Sequence, residues 1–158
     1  MAPRTEAAAR RSAEHDLIMT RIFDAPRRLV FKAWAEPERM AQWWGPKGFT
    51  LPVCEMDVRA GGAYRFTMRS PEGNEFRTQG VFREVVEPER LVFTGGWVDE
   101  HGKPTGPEMI TTVTFEDHQG KTRLTLHQTG VESATARDSY RGGWTGSFDR
   151  LAEFLAAA

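Results

Sequence analysis

The residue types that most often perform chemistry are sparse in this chain and poorly spaced for a metal site. Four histidines occur among 158 residues, and Cys54 is the single cysteine. A zinc site typically takes two ligands from one helix or one tight turn, as a cysteine pair or two histidines four positions apart. No histidine has such a neighbour, and we expect neither a metal nor another cofactor; the four are His15, His101, His118 and His127.

Cys54 stands beside Glu55, and the pair raises the possibility of a thiol nucleophile with a carboxylate base. Neighbouring residues of a strand point to opposite faces, so Glu55 is badly placed to take the thiol proton. Asp57 and Arg59 stand at the entrance to a glycine turn, where we expect a structural ion pair. These groups predict a buried, unreactive thiol and no catalytic residue.

Composition excludes several classes of protein. Lysine and arginine number 21 against 22 aspartates and glutamates, whereas a nucleic-acid binder usually carries a basic excess. No segment has the apolar length needed to cross a bilayer. A lone cysteine forbids an internal disulfide, and residues 1–14 lack the apolar segment of a secretory signal. We predict a cytoplasmic protein with a disordered tail over 1–14 and a single domain over 15–158.

The spacing of apolar residues along the chain predicts the helices and strands that would position a site. An alternating segment ending at Asp24 predicts a first strand, and two short helices follow, over "DAPRRLVFKAWAEP" and "EPERMAQWWGP". A long helix over 133–158 closes the chain, with one apolar face that includes Trp144 and Phe148. Between the helices lie six strands joined by short turns: "VCEMDV", "AYRFTMR", "EFRTQGVFREVV", "EPERLVFTGGW", "EMITTVTFED" and "KTRLTLHQT".

This order predicts an α+β fold with a seven-stranded antiparallel sheet wrapped around one long C-terminal helix. A single helix does not fill the concave face of so wide a sheet unless bulky side chains occur throughout. The arrangement therefore predicts a cavity between sheet and helix.

Two adjacent tryptophans, Trp43 and Trp44, precede a Gly45-Pro46 bend. Neighbouring helical residues point in different directions, so both rings are buried only if two surfaces cover them. We expect one ring to close the core and the other to border the cavity.

Five short motifs carry a resemblance to a known family. They are a Trp before a Glu-Pro helix start, Trp-Trp-Gly-Pro, Asp-x-Arg-x-Gly-Gly, Pro-x-Arg-Leu-Val, and Gly-Trp in the last helix. In this order they resemble homologues of the activator of heat-shock-protein-90 ATPase, within the helix-grip superfamily of START domains, birch-pollen-allergen-like proteins and polyketide cyclases. The resemblance spans about residues 16–155. It implies a curved helix-grip sheet and a role in binding a hydrophobic ligand or a protein partner, and it specifies no reaction.

The candidate ligand-binding residues are large apolar side chains that the pattern assigns to the helices or to the inner face of the sheet. Such side chains also build ordinary cores, so the pattern leaves open whether the space is open or filled. They are Trp34, Trp44, Phe49, Met56, Tyr64, Phe66, Met68, Phe82, Phe93, Met109, Trp144 and Phe148.

Three function classes remain, and the first is the prediction. It is a module that binds a small hydrophobic or amphipathic molecule in the cavity. The second is a co-chaperone-like interaction module, which would use the outward face at Arg65, Thr67 and Arg69. The third is a cyclase- or hydrolase-type enzyme; its only polar candidates are Tyr64, Thr78, Gln79 and Thr111.

Overall fold

The computed structural model describes residues 15–157, and the tail predicted for residues 1–14 lies outside that range. The fold is α+β, with a curved seven-stranded antiparallel sheet, two short helices after the first strand, and a long C-terminal helix. The predicted helix-grip architecture is confirmed. Its elements are β1 (Leu17–Phe23), α1 (Arg27–Ala35), α2 (Pro37–Met40), β2 (Thr50–Met56), β3 (Ala63–Arg69), β4 (Glu75–Val86), β5 (Arg90–Val98), β6 (Met109–His118), β7 (Lys121–Thr129) and α3 (Ala134–Ala157).

The sheet has the strand order β1-β7-β6-β5-β4-β3-β2, and every neighbouring pair is antiparallel. The six strands from β2 to β7 form the predicted meander, and β1 completes the sheet by pairing with β7. Gln119 and Gly120 make the tight link between β6 and β7 with φ of 54° and 84°. Two consecutive positive φ values are typical of the hairpin turn that matches strand twist.

Alternation along the strands places one apolar face against the helices. On β6, Met109, Thr111, Val113 and Phe115 are all buried, while the residues between them are not. Successive side chains of a strand point to opposite faces, so these four share the inner face.

The short helices differ from the prediction at their ends. The first helix was expected to begin at Asp24, but Pro26 is the N-cap of α1 and Asp24 is largely exposed. Glu36 is extended because Pro37 follows it, which separates α1 from α2. The second helix was expected to reach Gly45, but α-helical structure ends at Met40 and tight turns follow.

The core lies between the sheet, α1 and the C-terminal half of α3. Its largest fully buried side chains are Trp34, Trp43, Phe23, Phe31, Phe115, Phe148, Leu17, Leu91, Leu124, Leu126, Leu151 and Val30. Within residues 15–157, no helix is both long enough and apolar enough to cross a membrane.

Candidate functional site

A cavity of about 350 Å³ lies between the inner face of β3 to β7 and α3. None of the described residues that line it carries a charge. Its aromatic lining consists of Trp44, Phe49, Tyr64, Phe76, Phe93, Trp97, Tyr140 and Trp144. Hydroxyl and amide groups come from Thr78, Thr111, Gln128, Ser139 and Ser147, and the remaining lining residues are Met68, Met109, Gly45, Pro46, Gly95, Gly96 and Gly143.

The two adjacent tryptophans have different surroundings. Trp43 is fully buried, and its indole N–H donates to the carbonyl of Ala33 at 3.0 Å. Trp44 is partly buried and lines the cavity, with its ring 5.2 Å from that of Trp144. One ring therefore closes the core and the other borders the cavity, as the Gly45-Pro46 bend predicted.

Two side chains of α3 hold the bend that carries Trp44. The Arg150 guanidinium donates to the carbonyls of Trp44, Gly45 and Pro46 at 3.0 to 3.2 Å. The backbone N–H of Gly45 donates to the hydroxyl of Ser147 at 3.1 Å. Partial burial lowers the pKa of Arg150, yet an arginine remains charged in proteins. The position of Trp44 at the cavity therefore depends on α3.

Glycine is required at position 45 for two reasons. Its φ is +100°, a region that other residues adopt at a cost. A side chain there would also meet the sulfur of Met68 at 3.1 Å and Phe49 at 3.2 Å. The bend therefore brings Trp44 and Phe49 close to β3 and leaves little room for a Cβ at position 45.

Tyr64 lies across two glycines of the neighbouring strands. Gly80 and Gly95 are paired across β4 and β5, and a Cβ at Gly95 would collide with the Tyr64 phenol oxygen. The phenol donates to the carbonyl of Thr94 at 3.0 Å. Burial, and to a lesser extent the Glu108 carboxylate, raises the pKa of Tyr64. The phenol is therefore a neutral part of the cavity wall and does not act as a general base at neutral pH.

A buried polar row crosses the inner end of the cavity. The Trp144 indole N–H donates to the side-chain oxygen of Gln128 at 3.2 Å, and the Gln128 amide N–H donates to the Thr111 hydroxyl at 3.0 Å. Thr111 and Gln128 are directly opposite each other in the pairing of β6 with β7. We call Thr111, Gln128 and Trp144 the polar row.

The mouth of the cavity is built from aromatic side chains. Phe76 lines the cavity and is 41% exposed, so the cavity opens to solvent on its side. Phe76 lies 6.0 Å from Phe49 and 6.5 Å from Trp97 between ring centroids. The Trp97 indole N–H donates to the Tyr140 hydroxyl at 3.1 Å, which links β5 to α3 at this rim.

The predicted ligand-binding residues separate into two groups. The cavity is lined by Trp44, Phe49, Tyr64, Met68, Phe93, Met109 and Trp144. Trp34, Phe66, Phe82 and Phe148 are instead buried in the core, and Met56 packs beside Cys54 outside the cavity. The alternation that placed them on one face was correct, but it carries no information about how far along the cleft the open space extends.

Several cavity residues were not among these predictions. Phe76, Trp97 and Tyr140 form the mouth, and Gln128 and Ser147 supply polar groups. Phe76 shares the inner face of β4 with Thr78, which does line the cavity. Of the other polar candidates Thr111 lines the cavity, whereas Gln79 donates to the carbonyl of Gly102 and is absent from its lining.

The other chemically suggestive groups have structural surroundings. Burial, with a smaller contribution from Glu38, raises the pKa of the Cys54 thiol to about 11, and the thiol faces the Pro37 carbonyl at 3.7 Å. Asp57 and Arg59 form the predicted ion pair at 2.8 Å on the surface. Within residues 15–157, no group of three or more His, Cys, Asp or Glu side chains could hold a metal ion.

A larger groove of about 740 Å³ runs along β3 to β5, and its lining includes the outward-facing side chains of Glu55 and Arg65. Those two form an ion pair at 2.8 Å, and both are more than half exposed. A ligand there would have to displace water and compete with paired charges. The inner cavity is therefore the better candidate for a ligand site.

Comparison with known proteins agrees with this architecture. The family described as "Activator of Hsp90 ATPase homolog 1-like protein" matches residues 24–156. A search of curated proteins finds no match.

Solved structures include similar proteins from several bacteria. One from Chromobacterium violaceum is 29% identical with a TM-score of 0.82, and the match covers 90% of this chain and 97% of that one. The AHSA1 protein from Silicibacter pomeroyi is 28% identical with a TM-score of 0.82, covering 90% and 98%. A protein from Mycobacterium smegmatis is 25% identical with a TM-score of 0.77, covering 92% and 91%.

Proposed function

We propose that this chain, which belongs to the activator of Hsp90 ATPase homolog 1-like family, binds a small apolar or amphipathic molecule in the cavity between its sheet and α3. The observation that carries the proposal is an uncharged cavity of about 350 Å³ with a mouth at the surface. Ligand pockets of proteins typically have about 300–1,000 Å³ and mostly apolar walls with a few placed polar groups. The cavity agrees with that description in size and in lining.

The helix sequence supports a cavity that is kept open. Gly142 and Gly143 lie in the middle of α3, where each glycine costs about 1 kcal/mol of helix stability relative to alanine. Among the described residues outside the helix's own backbone, a Cβ at Gly143 would meet nothing within 4 Å, so no close packing requires glycine there. Gly143 lines the cavity. Protein interiors are otherwise close-packed. The unfilled space beside Gly143 is therefore of the kind that a ligand occupies.

Binding of a neutral fluorescent probe, N-phenylnaphthylamine, tests the proposal. We expect saturable binding to the native protein with quenching of tryptophan emission, because Trp44, Trp97 and Trp144 line the cavity. Gly143→Leu should weaken binding at least tenfold because its side chain enters the cavity. Gly142→Leu is the matched control. The two variants have the same composition and the same change in helix propensity, but position 142 is exposed and does not line the cavity.

A second variant fills the cavity from the sheet. Met68→Trp should also weaken the probe, and in an open cavity it should cost less than the roughly 1–3 kcal/mol expected for overpacking a filled core. If the native protein binds no probe and Met68→Trp unfolds, the inner aromatic residues are plain core and the proposal is wrong. Equal probe affinity in the two leucine variants would also contradict it.

The family name raises a co-chaperone alternative, which would use the outer face of β3. There Arg65 pairs with Glu55 and Arg69 with Glu75, and Thr67, expected to point to a partner, is only 7% exposed. We therefore expect no stimulation of the ATPase of an Hsp90 relative by the purified protein. A several-fold stimulation that survives Gly143→Leu would move the function from the cavity to this face.

A further inference from the structure

We infer that the molecule taken into this cavity is uncharged, carries a flat apolar ring, and presents a carbonyl or ether oxygen to the polar row. The inference rests on the proposed ligand-binding function. It follows from the hydrogen-bond directions within the polar row and from the lining of the cavity.

The orientation of the Gln128 amide is fixed by its neighbour. An indole N–H only donates, so the side-chain oxygen of Gln128 must face Trp144 at 3.2 Å. The amide nitrogen then faces Thr111 and donates to its hydroxyl oxygen at 3.0 Å. Because Thr111 accepts in this bond, its own hydroxyl hydrogen is directed elsewhere.

Two hydrogens of the polar row remain without an acceptor. Among the described residues, no hydrogen bond uses the hydroxyl hydrogen of Thr111 or the second amide hydrogen of Gln128. Both residues line the cavity, and they are 3% and 6% exposed. Buried donors in proteins are nearly always satisfied, and leaving one unsatisfied is costly. The inner end of the cavity is therefore arranged to donate hydrogen bonds to a ligand oxygen.

The lining excludes a charged head group. Among residues 15–157, no lysine, arginine or histidine lines the cavity, so a buried carboxylate or phosphate would lose its hydration without gaining a counter-charge there. The nearby Glu108 carboxylate already acts on Tyr64 and disfavours a second negative charge. A cationic head would find no carboxylate among the described lining residues and would meet donors of the wrong polarity at the polar row.

The remaining walls favour a flat ring. Trp44 and Trp144 stand nearly perpendicular to each other, at 85° with 5.2 Å between ring centroids, and Tyr64 and Phe93 stand at 83° with 5.6 Å. All four side chains line the cavity. Aromatic rings in such edge-to-face arrangements offer both ring faces and ring edges to a further ring.

Three probes of similar shape test the inference on the full chain by titration calorimetry. They are methyl naphthyl ketone, isopropenylnaphthalene, in which a methylene group replaces the carbonyl oxygen, and naphthoate, which is an anion. We expect the ketone to bind roughly tenfold more tightly than the isopropenyl compound, the ratio expected for one net hydrogen bond. We expect no detectable binding of naphthoate at neutral pH.

Thr111→Val and Thr111→Ser form a matched pair. Valine keeps the shape and removes the hydroxyl, so the preference for the ketone should fall to about twofold or less, while serine should preserve it. The infrared carbonyl stretch of the bound ketone should lie at lower frequency in the wild-type protein than in Thr111→Val. If Thr111→Val does not fold, the comparison of the probes on the wild-type protein still decides the matter.

The outcomes separate this inference from the proposed function. If isopropenylnaphthalene fails to bind and the ketone fails as well, the cavity is not a ligand site and both proposals fail. If it binds as tightly as the ketone, the ligand site stands and the role of the polar row is wrong. If naphthoate binds more tightly than the ketone, the ligand site stands and the inference of an uncharged ligand is overturned.

Discussion

The two ends of the cleft between the sheet and α3 differ in what fills them. At one end, Trp34 of α1 lies among Phe115 and Phe148, with ring centroids 6.3 and 6.4 Å away, and all three are buried. At the other end, the inward side chains of Met68 and Phe93 border open space. We call these the filled end and the open end.

The difference lies in α1 and in the inner face of the sheet. Thr78, Gly95 and Thr111 are small inner-face residues at the open end. In addition, α1 places Phe31 and Trp34 against the sheet at the filled end only. Beyond Trp34, the described residues that cover the sheet are those of the bend at Trp44 and of the segment of α3 around Gly143. In this chain, α1 and the small inner-face residues of the sheet therefore together determine where the cleft is core and where it is cavity.

The largest expected effect is loss of stability at the filled end. Phe148→Ala should lower the free energy of unfolding by about 3–5 kcal/mol, because it leaves a void among close-packed rings. Phe93→Ala at the open end should cost clearly less, because the Phe93 ring already borders the open space of the cavity. Denaturant unfolding measures both.

Probe binding provides the converse comparison for the same two variants. Phe148→Ala, where it folds, should leave the affinity for N-phenylnaphthylamine nearly unchanged, whereas Phe93→Ala should change it several-fold. Equal losses of stability at the two positions would mean that the cleft is packed alike along its length.

Much of the fold follows from local patterns in the sequence. The period of two across the strands, the turn residues Gln119 and Gly120, and Pro37 at a helix start each act within a few residues. The extent of α2 was overestimated because tight turns after Met40 continue the helical spacing of apolar side chains without helical structure.

The cavity itself was predicted as a feature of the architecture, but its extent along the cleft was not. Phe66 and Phe93 are the same residue type on the same face, yet only Phe93 lines the cavity. The contacts of Arg150 with the Trp44 bend join residues about a hundred positions apart, and no local pattern indicates them. Contacts of this kind depend on tertiary packing, which a single sequence does not display.

A smaller effect than that of Phe148→Ala should follow from removing the hydrogen bonds that hold the Trp44 bend at the open end. Arg150→Met keeps an apolar stem but removes the bonds to the carbonyls of Trp44, Gly45 and Pro46. We expect a loss of stability of about 1–3 kcal/mol, since bonds to a charged donor are lost at partly buried carbonyls. We also expect weaker probe binding because Trp44 is no longer held, measured by titration and by the emission of the bound probe.

Arg21→Met is the control for that variant. Arg21 pairs with Asp149 of the same helix at 2.7 Å, but both side chains are more than a third exposed. Exposed ion pairs contribute about 0–1 kcal/mol, so this variant should have little effect on stability and none on the probe. A loss of probe binding in Arg21→Met would indicate that any weakening of α3 disturbs the cavity.

The smallest expected effect concerns Gly142 and Gly143, which have nearly the same surroundings in α3 but different relations to the cavity. Either glycine replaced by alanine should raise the free energy of unfolding by about 0.5–1 kcal/mol, because alanine restricts the unfolded chain and suits a helix. Among the described residues, neither new methyl group would meet an atom within 4 Å beyond its chain neighbours and the helix's own backbone. Only the methyl of Gly143→Ala points into the cavity, so it alone should lower probe affinity, by about twofold to fivefold on the scale of one buried methylene.

Thermal unfolding with and without probe separates the two effects: both variants gain stability in the free protein, and only Gly143→Ala gains less from added probe. If both variants respond to the probe as the wild-type protein does, position 143 does not bound the binding space, and the open end is defined by the sheet alone.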